Sequence, residues 1–91
     1  MLEIGDDELK VLNCLLHPES METVVSETKF HPKVALDIVR TLVHYRYVKA
    51  QDVSGKSLAM FSPDKLTLVR FVLTAKGLKE ITSAQQPPLQ V

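Results

Sequence analysis

The sequence predicts an α+β fold, in which a bundle of three helices precedes a small antiparallel β-wing and a C-terminal helix. Two observations lead to this prediction. A segment with strong helical periodicity, residues 32–45, runs directly into a strand-like stretch that begins at residue 47. A turn signal, SGKS at residues 54–57, and an alternating stretch at residues 67–73 follow. The length of 91 residues suits one domain, and an apolar fraction of 45% is typical of a globular chain.

The segment from Phe30 to Val48 organises the rest of the chain. Pro32 suits the first position of a helix, because proline has a fixed φ and no N–H. His31, directly before it, is a candidate for the N-cap. Apolar residues then recur at spacings of three and four, which places them on one side of the helix: Ala35, Ile38, Val39, Leu42 and Tyr45. The opposite side is polar and carries Lys33, Asp37, Arg40 and His44. We interpret this as the DNA-reading helix of a winged helix-turn-helix.

Two shorter helices are predicted before it. We expect the first to begin at Asp6 or Asp7, either of which can cap it, and to end near Leu16, where a His-Pro pair leaves the α region. Ser20 begins the second, and a turn at residues 27–29 leads to the third. The connection is short and contains no glycine, which agrees with a tight helix-turn-helix corner.

A strand is expected over residues 48–53, followed by the SGKS turn with Lys56 at its tip. The stretch at residues 67–73 is largely apolar on both faces, which suits a strand that is central or covered by a partner. Thr74 can cap a last helix that starts at the next residue and ends near Ile81.

The domain organisation follows from this order of elements. Residues 1–82 are predicted to form the winged helix-turn-helix domain. The remaining segment, TSAQQPPLQV from residue 82 onward, is polar and contains two prolines. We therefore expect residues 83–91 to be a flexible C-terminal tail.

Charge is distributed unevenly along a chain whose formal net charge is zero. Residues 1–28 hold seven acidic residues and one lysine, a net charge of −6, whereas residues 29–91 hold ten basic and four acidic residues, a net charge of +6. A phosphate responds to the local field, so a basic face on a neutral domain can still attract nucleic acid. The alternative is that these charges only solubilise two ends of the fold.

Composition argues against several classes of protein. No apolar run approaches the length of a membrane span, and the acidic start MLEIGDDELK does not resemble a signal peptide. A single cysteine, Cys14, excludes an intrachain disulfide and fits a reducing compartment. We therefore expect a cytoplasmic protein without a membrane partner.

Catalytic and metal chemistry find little support in the sequence. It lacks a glycine-rich phosphate loop and a recognisable catalytic constellation, so we predict no enzymatic activity and no cofactor. Cys14 and His17 could share one side of a helix, but a tetrahedral metal site needs further ligands nearby. A lone cysteine among leucines is more often a packed apolar group. The prediction is that no residue ligates a metal.

Two motifs resemble the winged-helix regulators, of the MarR-, PadR- and ArsR-like kind. The first is FHPK at residues 30–33 with its amphipathic helix, which ends in YRYV at residues 45–48. The second, LTAKG at residues 73–77, is similar to the Leu-Thr-x-Lys-Gly junction that closes the wing in that family. Arg46 stands where the family commonly has glycine, so the end of the third helix must be capped differently. Long flanking dimerisation helices are absent, and residues 54–66 are longer and more apolar than an arginine-rich wing.

Eight residues are candidates for contact with DNA. Arg40 can pair with guanine in a bidentate way, whereas Lys33 is mainly a point charge for a phosphate. Asp37 either forms ion pairs with Lys33 and Arg40 along the helix or accepts a hydrogen bond from cytosine. Lys56 at the wing tip suits the minor groove or a phosphate. The full set is Lys29, His31, Lys33, Asp37, Arg40, Thr41, His44 and Lys56.

The predicted function is that of a sequence-specific, duplex DNA-binding protein, a transcriptional regulator that acts as a homodimer. The alternative is a winged-helix module that binds other proteins and not DNA. It rests on Val34, Leu36 and Val43, which make the apolar arc of the third helix wider than an internal core needs.

Overall fold

The described part of the chain forms four helices and a three-stranded sheet, in the predicted order. The computed structural model describes residues 4–58, 61 and 67–85, except for the side chains at 84 and 85. The elements are α1 (Asp6–Cys14), α2 (Met21–Thr28), α3 (Pro32–His44), β1 (Val48–Asp52), β2 (Ser57–Leu58), β3 (Val69–Leu73) and α4 (Ala75–Gln85). The α+β winged-helix fold that the sequence predicts is therefore the fold observed.

The sheet is antiparallel, with strand order β2-β1-β3. Strand β3 also pairs on its other side, where Glu19 and Phe71 exchange two backbone hydrogen bonds of 2.9 and 2.7 Å. Leu73 donates a further backbone bond of 3.0 Å to the carbonyl of Leu15. Strand β3 thus has backbone hydrogen-bond partners on both of its edges, as a central strand does.

One hydrophobic core joins the helices to the inner face of the sheet. Phe71 is the largest side chain that is fully buried, and its ring meets that of Phe61 edge-on at a centroid distance of 5.2 Å. Leu15, the C-cap of α1, belongs to this core. The helices contribute to it Val11, Leu12, Met21, Val24, Ala35, Val39, Leu42 and Ile81. Within the described part of the chain, every buried side-chain nitrogen and oxygen has a hydrogen-bond partner.

Helix α1 differs from the prediction at both ends. Gly5 is its N-cap, in place of Asp6 or Asp7, and the Glu8 carboxylate accepts a hydrogen bond of 2.8 Å from the Gly5 N–H. The acidic pair occupies the first turn instead, where the helix dipole favours negative charge. The helix ends at Cys14, two residues before the predicted end.

The corner between α2 and α3 agrees with the prediction more closely. The Ser20 hydroxyl caps α2 by accepting from the N–H of Thr23 at 3.3 Å. Helix α2 continues to Thr28, so the turn consists of residues 29–31 and not 27–29. His31 is the N-cap of α3, as predicted, and Pro32 is its first residue.

The end of α3 corrects the predicted core. Tyr45 is exposed and not part of the buried stripe, because the helix ends at His44 and the chain reverses direction there. Arg46 adopts a left-handed conformation with φ of 67°. Its N–H donates to the carbonyl of Val43, and the Tyr47 N–H to that of Leu42, which is the hydrogen-bond pattern of a Schellman cap. After the reversal it is Tyr47, and not Tyr45, whose side chain is buried.

The start of α4 packs directly against this cap. The Thr74 hydroxyl donates to the carbonyl of Arg46 at 2.6 Å and accepts from the N–H of Gly77 at 3.2 Å. A β-carbon added to Gly77 would lie 2.1 Å from the carbonyl oxygen of Tyr47. Gly77 therefore allows α4 to approach the α3 cap closely, although glycine lowers helix propensity.

The remaining boundaries shift by a few residues. Strand β1 ends at Asp52, one residue early, and β3 begins at Val69 after a short 3₁₀ turn. Helix α4 reaches Gln85, beyond the predicted end near Ile81. Residues 83–85 are thus helical, and residues 86–91 of the predicted tail lie outside the described residues. The division at residue 82 stays a prediction.

Candidate nucleic-acid interface

The outer face of α3 gathers five of the eight candidate residues on one exposed surface. Helical geometry places Lys33, Asp37, Arg40 and His44 opposite the buried stripe, with Thr41 beside them. All five side chains are exposed. The separation of the two faces follows from the sequence period, because residues three and four apart share one side of a helix.

This surface is shallow, and polar and apolar groups line it in about equal parts. Asp37, Arg40, Thr41, His44 and Tyr45 border one open depression near the C-terminal half of α3. The Thr41 hydroxyl donates to the Asp37 carbonyl at 2.9 Å. The rings of His44 and Tyr45 meet edge-on at a centroid distance of 5.1 Å. A convex helix with polar side chains and no enclosed cavity can contact an extended partner, such as a groove of duplex DNA.

The charges on this face are not paired with one another. In the described part of the chain, no ion pair joins Asp37 to Lys33 or to Arg40. The interpretation of Asp37 as an ion-pair partner for its helical neighbours therefore gains no support. Its carboxylate remains an acceptor that faces outward with the two basic side chains.

Two candidates belong to the turn before α3, and each has a structural role. The ring Nδ1 of His31 accepts from the N–H of Lys33 at 3.1 Å, so His31 caps the helix. Lys29 is the C-cap of α2, with a left-handed φ of 64° and a backbone bond of 2.9 Å to the carbonyl of Val25. Both side chains are exposed at the N-terminal end of α3.

The eighth candidate, Lys56, lies at the wing tip, which Asp52 organises. The Asp52 carboxylate accepts from the Ser54 N–H at 2.9 Å, the Ser54 hydroxyl at 2.6 Å and the Lys56 N–H at 2.9 Å. The Ser54 hydroxyl, followed by the Lys56 N–H, holds the pKa of Asp52 below its usual value. Gly55 completes the turn with φ of 91°. Lys56 itself is exposed.

Sequence reasoning missed Arg46 as a candidate. It is exposed at the C-terminal end of α3 and holds a left-handed conformation that glycine adopts at less energetic cost. The available signal was the departure from the winged-helix regulators that the sequence resembles, in which glycine commonly occupies this position. Lys76 differs from it, because its Nζ donates to the Tyr45 carbonyl at 3.1 Å and lies 4.4 Å from the centroid of the Tyr47 ring. Its charge stabilises the end of α3.

Cys14 is half-buried, and its thiol donates to the carbonyl of Lys10 at 3.2 Å. Burial, followed by a hydrogen bond to Glu27, raises the pKa of this thiol to about 11. The thiolate that binds metals is therefore disfavoured near neutral pH. Across residues 4–58, 61 and 67–85, no group of three or more His, Cys, Asp or Glu residues is arranged to hold a metal ion.

Comparison with known proteins gives a likeness to a solved structure. No family model matches the chain, and no curated protein matches it. Among solved structures, the chain is similar to BpsR of Bordetella bronchiseptica, which was determined to explain how 6-hydroxynicotinic acid regulates its DNA binding. The TM-score is 0.68 at 16% sequence identity.

The likeness covers 87% of this chain and 55% of BpsR, so the chain spans little more than half the length of that protein. At this identity the similarity shows a common fold. Of the helices described, none is long and apolar enough to cross a membrane.

Proposed function

We propose that this chain is a sequence-specific, duplex DNA-binding protein that regulates transcription. The observation that carries the proposal is the exposed outer face of α3, on which Lys33, Arg40 and His44 lie together. It is supported by the fold shared with BpsR, a protein that binds DNA. The function requires no catalytic group or cofactor, because binding alone can regulate transcription.

The dimensions of α3 suit the major groove. Its 13 residues span about 20 Å at 1.5 Å per residue. With the helix in the groove, Arg40 would pair with a guanine edge and Lys33 with a phosphate, while Asp37 would accept from the amino group of a cytosine. Lys29 and Lys56 would extend the contacts to the backbone on either side.

A homodimer fits this mode of binding. Two copies related by a two-fold axis would present two α3 helices to successive major grooves about 34 Å apart, and so would read a palindromic site. We further propose that the protein acts in the cytoplasm, in agreement with its one free cysteine, Cys14.

The test is fluorescence anisotropy of a labelled random-sequence duplex, titrated with protein at several salt concentrations. Binding should weaken linearly on a log–log plot, with a slope that corresponds to several phosphates per protein. Selection from a randomised duplex pool then gives the preferred site, and the stoichiometry on that site tests the homodimer.

Two variants and one control assign the contacts. Lys33→Ala and Arg40→Ala should each weaken binding, the latter by about 1–3 kcal/mol if Arg40 pairs with a guanine. Lys79→Ala removes an exposed lysine from α4, outside the proposed surface, and should leave binding unchanged. If both α3 variants bind DNA as well as the parent protein does, α3 is not the helix that reads the DNA.

Absence of binding at low salt would overturn the proposal and favour the alternative, a protein-interaction module. That alternative draws on Val34, which is 47% exposed, and on the half-buried Leu36 and Val43. In that case Leu36→Asp should dissolve a protein complex of this chain.

A further inference from the structure

An apolar groove lies between α2 and the first turns of α3, beside the proposed DNA-reading face. Its volume is about 380 Å³, and carbon atoms form almost all of its lining. Four aliphatic or proline side chains form its walls: Met21, Val25, Pro32 and Leu36. Of the five outer-face residues described above, Lys33 borders this groove and the other four do not.

Two charged residues border the groove. Glu22 and Lys33 line it, and because the lining is almost wholly apolar, their carbon stems contribute to it. Both residues are exposed. A carboxylate at the groove disfavours a phosphate there, whereas it can accept from an amino group on a base edge. Glu22 therefore favours a base edge as its partner, and Lys33 favours the phosphate beside that edge.

The position of Leu36 connects the groove to the DNA-reading face. It follows Lys33 by three residues and precedes Arg40 by four, so all three lie near one another along the helix surface. If α3 occupies a major groove, the apolar groove faces the base edges next to those that the two basic residues contact.

We propose that this groove receives the C5-methyl group of a thymine. The inference rests on the proposed function and adds a chemical class of target to it. The thymine methyl is the apolar feature that the major-groove edge of unmodified DNA offers, and aliphatic side chains contact it. Glu22 accepts from the exocyclic amino group of the adenine at the same base pair. Lys33 neutralises a phosphate beside it.

The experiment compares duplex polymers that differ only by this methyl group. Poly(dA-dT) is paired with poly(dA-dU), and poly(dG-5-methyl-dC) with poly(dG-dC). Each polymer competes with the labelled random-sequence duplex for the full chain at one salt concentration. Removal of the methyl should weaken competition roughly four-fold for each methyl that becomes buried. A preference in the first pair is the expected result, whereas a preference in the second pair alone would overturn the assignment to thymine.

Variants then assign the preference to the groove. Leu36→Ala and, separately, Val25→Ala remove parts of its lining and should reduce the methyl preference towards unity while salt-dependent binding persists. Val34→Ala is the matched control, because it removes an exposed aliphatic side chain of α3 that does not line the groove. Circular dichroism establishes that each variant is folded before binding is compared.

The outcomes separate this inference from the proposed function. Equal competition within both polymer pairs would overturn the inference and leave DNA binding intact. A methyl preference that survives both groove variants would place its source elsewhere and also overturn it. Failure to bind any duplex at low salt would overturn the proposed function, and the inference with it.

Discussion

Two turns flank strand β1, and they are stabilised in opposite ways. The turn after α3, residues 45–47, depends on contacts that are distant in sequence. Its carbonyl groups accept from the Thr74 hydroxyl, the Lys76 ammonium and the Thr74 N–H. The wing turn, residues 52–56, depends on its own aspartate, whose carboxylate accepts from groups two and four residues away.

The difference shows which part of the molecule is positioned by the whole fold. The α3 turn joins α3, β1 and α4, so it sets the orientation of the proposed DNA-reading helix against the core. The wing turn can form wherever its short sequence occurs, because side chain–backbone bonds of this kind are local. Changes in the first turn should therefore alter global stability, and changes in the second should remain local.

The largest expected effect comes from Gly77→Ala. The added β-carbon would meet the Tyr47 carbonyl oxygen, a backbone atom that cannot move without displacing β1. We expect a loss of about 2–3 kcal/mol in unfolding free energy and a fall in Tm of roughly 10 °C or more. Urea and thermal unfolding followed by circular dichroism measure both.

Gly55→Ala is the matched control for that substitution. No atom lies within 4 Å of the position of its added β-carbon, so it introduces only the strain of a positive φ. We expect a destabilisation of about 1 kcal/mol, which appears as local disorder of the wing. Equal losses in the two variants would contradict the distinction between a tertiary and a local turn.

Thr74→Val should have the next largest effect. It keeps the shape of the side chain but removes the hydroxyl that caps α4 and donates to the Arg46 carbonyl. We expect a loss of about 1–2 kcal/mol in unfolding free energy. Thr74→Ser keeps the hydroxyl and should lose much less. If the valine and serine variants are equally stable, the hydroxyl does not hold this turn.

Arg46→Gly should stabilise the protein. The residue has φ of 67°, a conformation that costs non-glycine residues energy, and glycine removes that strain. We expect a gain of about 0.5–1 kcal/mol after the greater freedom of glycine in the unfolded chain is included. Urea unfolding measures it. Arg46→Ala, which removes the guanidinium but keeps the strain, separates conformation from charge and should not be stabilised.

The smallest effect is a local pH response of the wing. The folded-state pKa of Asp52 is lowered, chiefly by the Ser54 hydroxyl, so the carboxylate bonds contribute fully above its unfolded value of 3.8. They are lost as the pH falls through the lower, folded-state pKa. Amide chemical shifts of Ser54 and Lys56 should therefore titrate with a midpoint below 3.8. A midpoint at or above 3.8 would contradict the arrangement of the turn, and Asp52→Asn should abolish the transition.

The elements that sequence reasoning predicted well are those encoded by short-range pattern. The amphipathic period of α3, the His31–Pro32 start and the Ser20 cap depend on residues within one or two helical turns. The errors occur at ends. The first helix stops at Cys14, two residues before its predicted end. Tyr45 is not part of the buried stripe, because the chain reverses direction at Arg46, whose left-handed conformation no propensity favours.

The candidate site was predictable to a similar degree. The five exposed residues on α3 follow from helical period alone. Arg46 was missed because it occupies a helix-capping position that is commonly glycine, a residue with no side chain to contact a partner. The apolar groove was missed as a site because Met21 and Val25 come from another helix. The role of Gly77 was not predicted either. Glycine lowers helix propensity, and the need for it here depends on the nearby Tyr47 carbonyl, which is distant in sequence.

The sequence by itself determined the order of helices and strands, the two faces of α3 and the local wing turn, because each depends on nearby residues and a repeating period. Only the tertiary structure decided how α4 closes the turn after α3, why Gly77 is required there, and where α2 and α3 leave an apolar groove. Those features depend on atoms that lie far apart in the chain and meet only when the core forms.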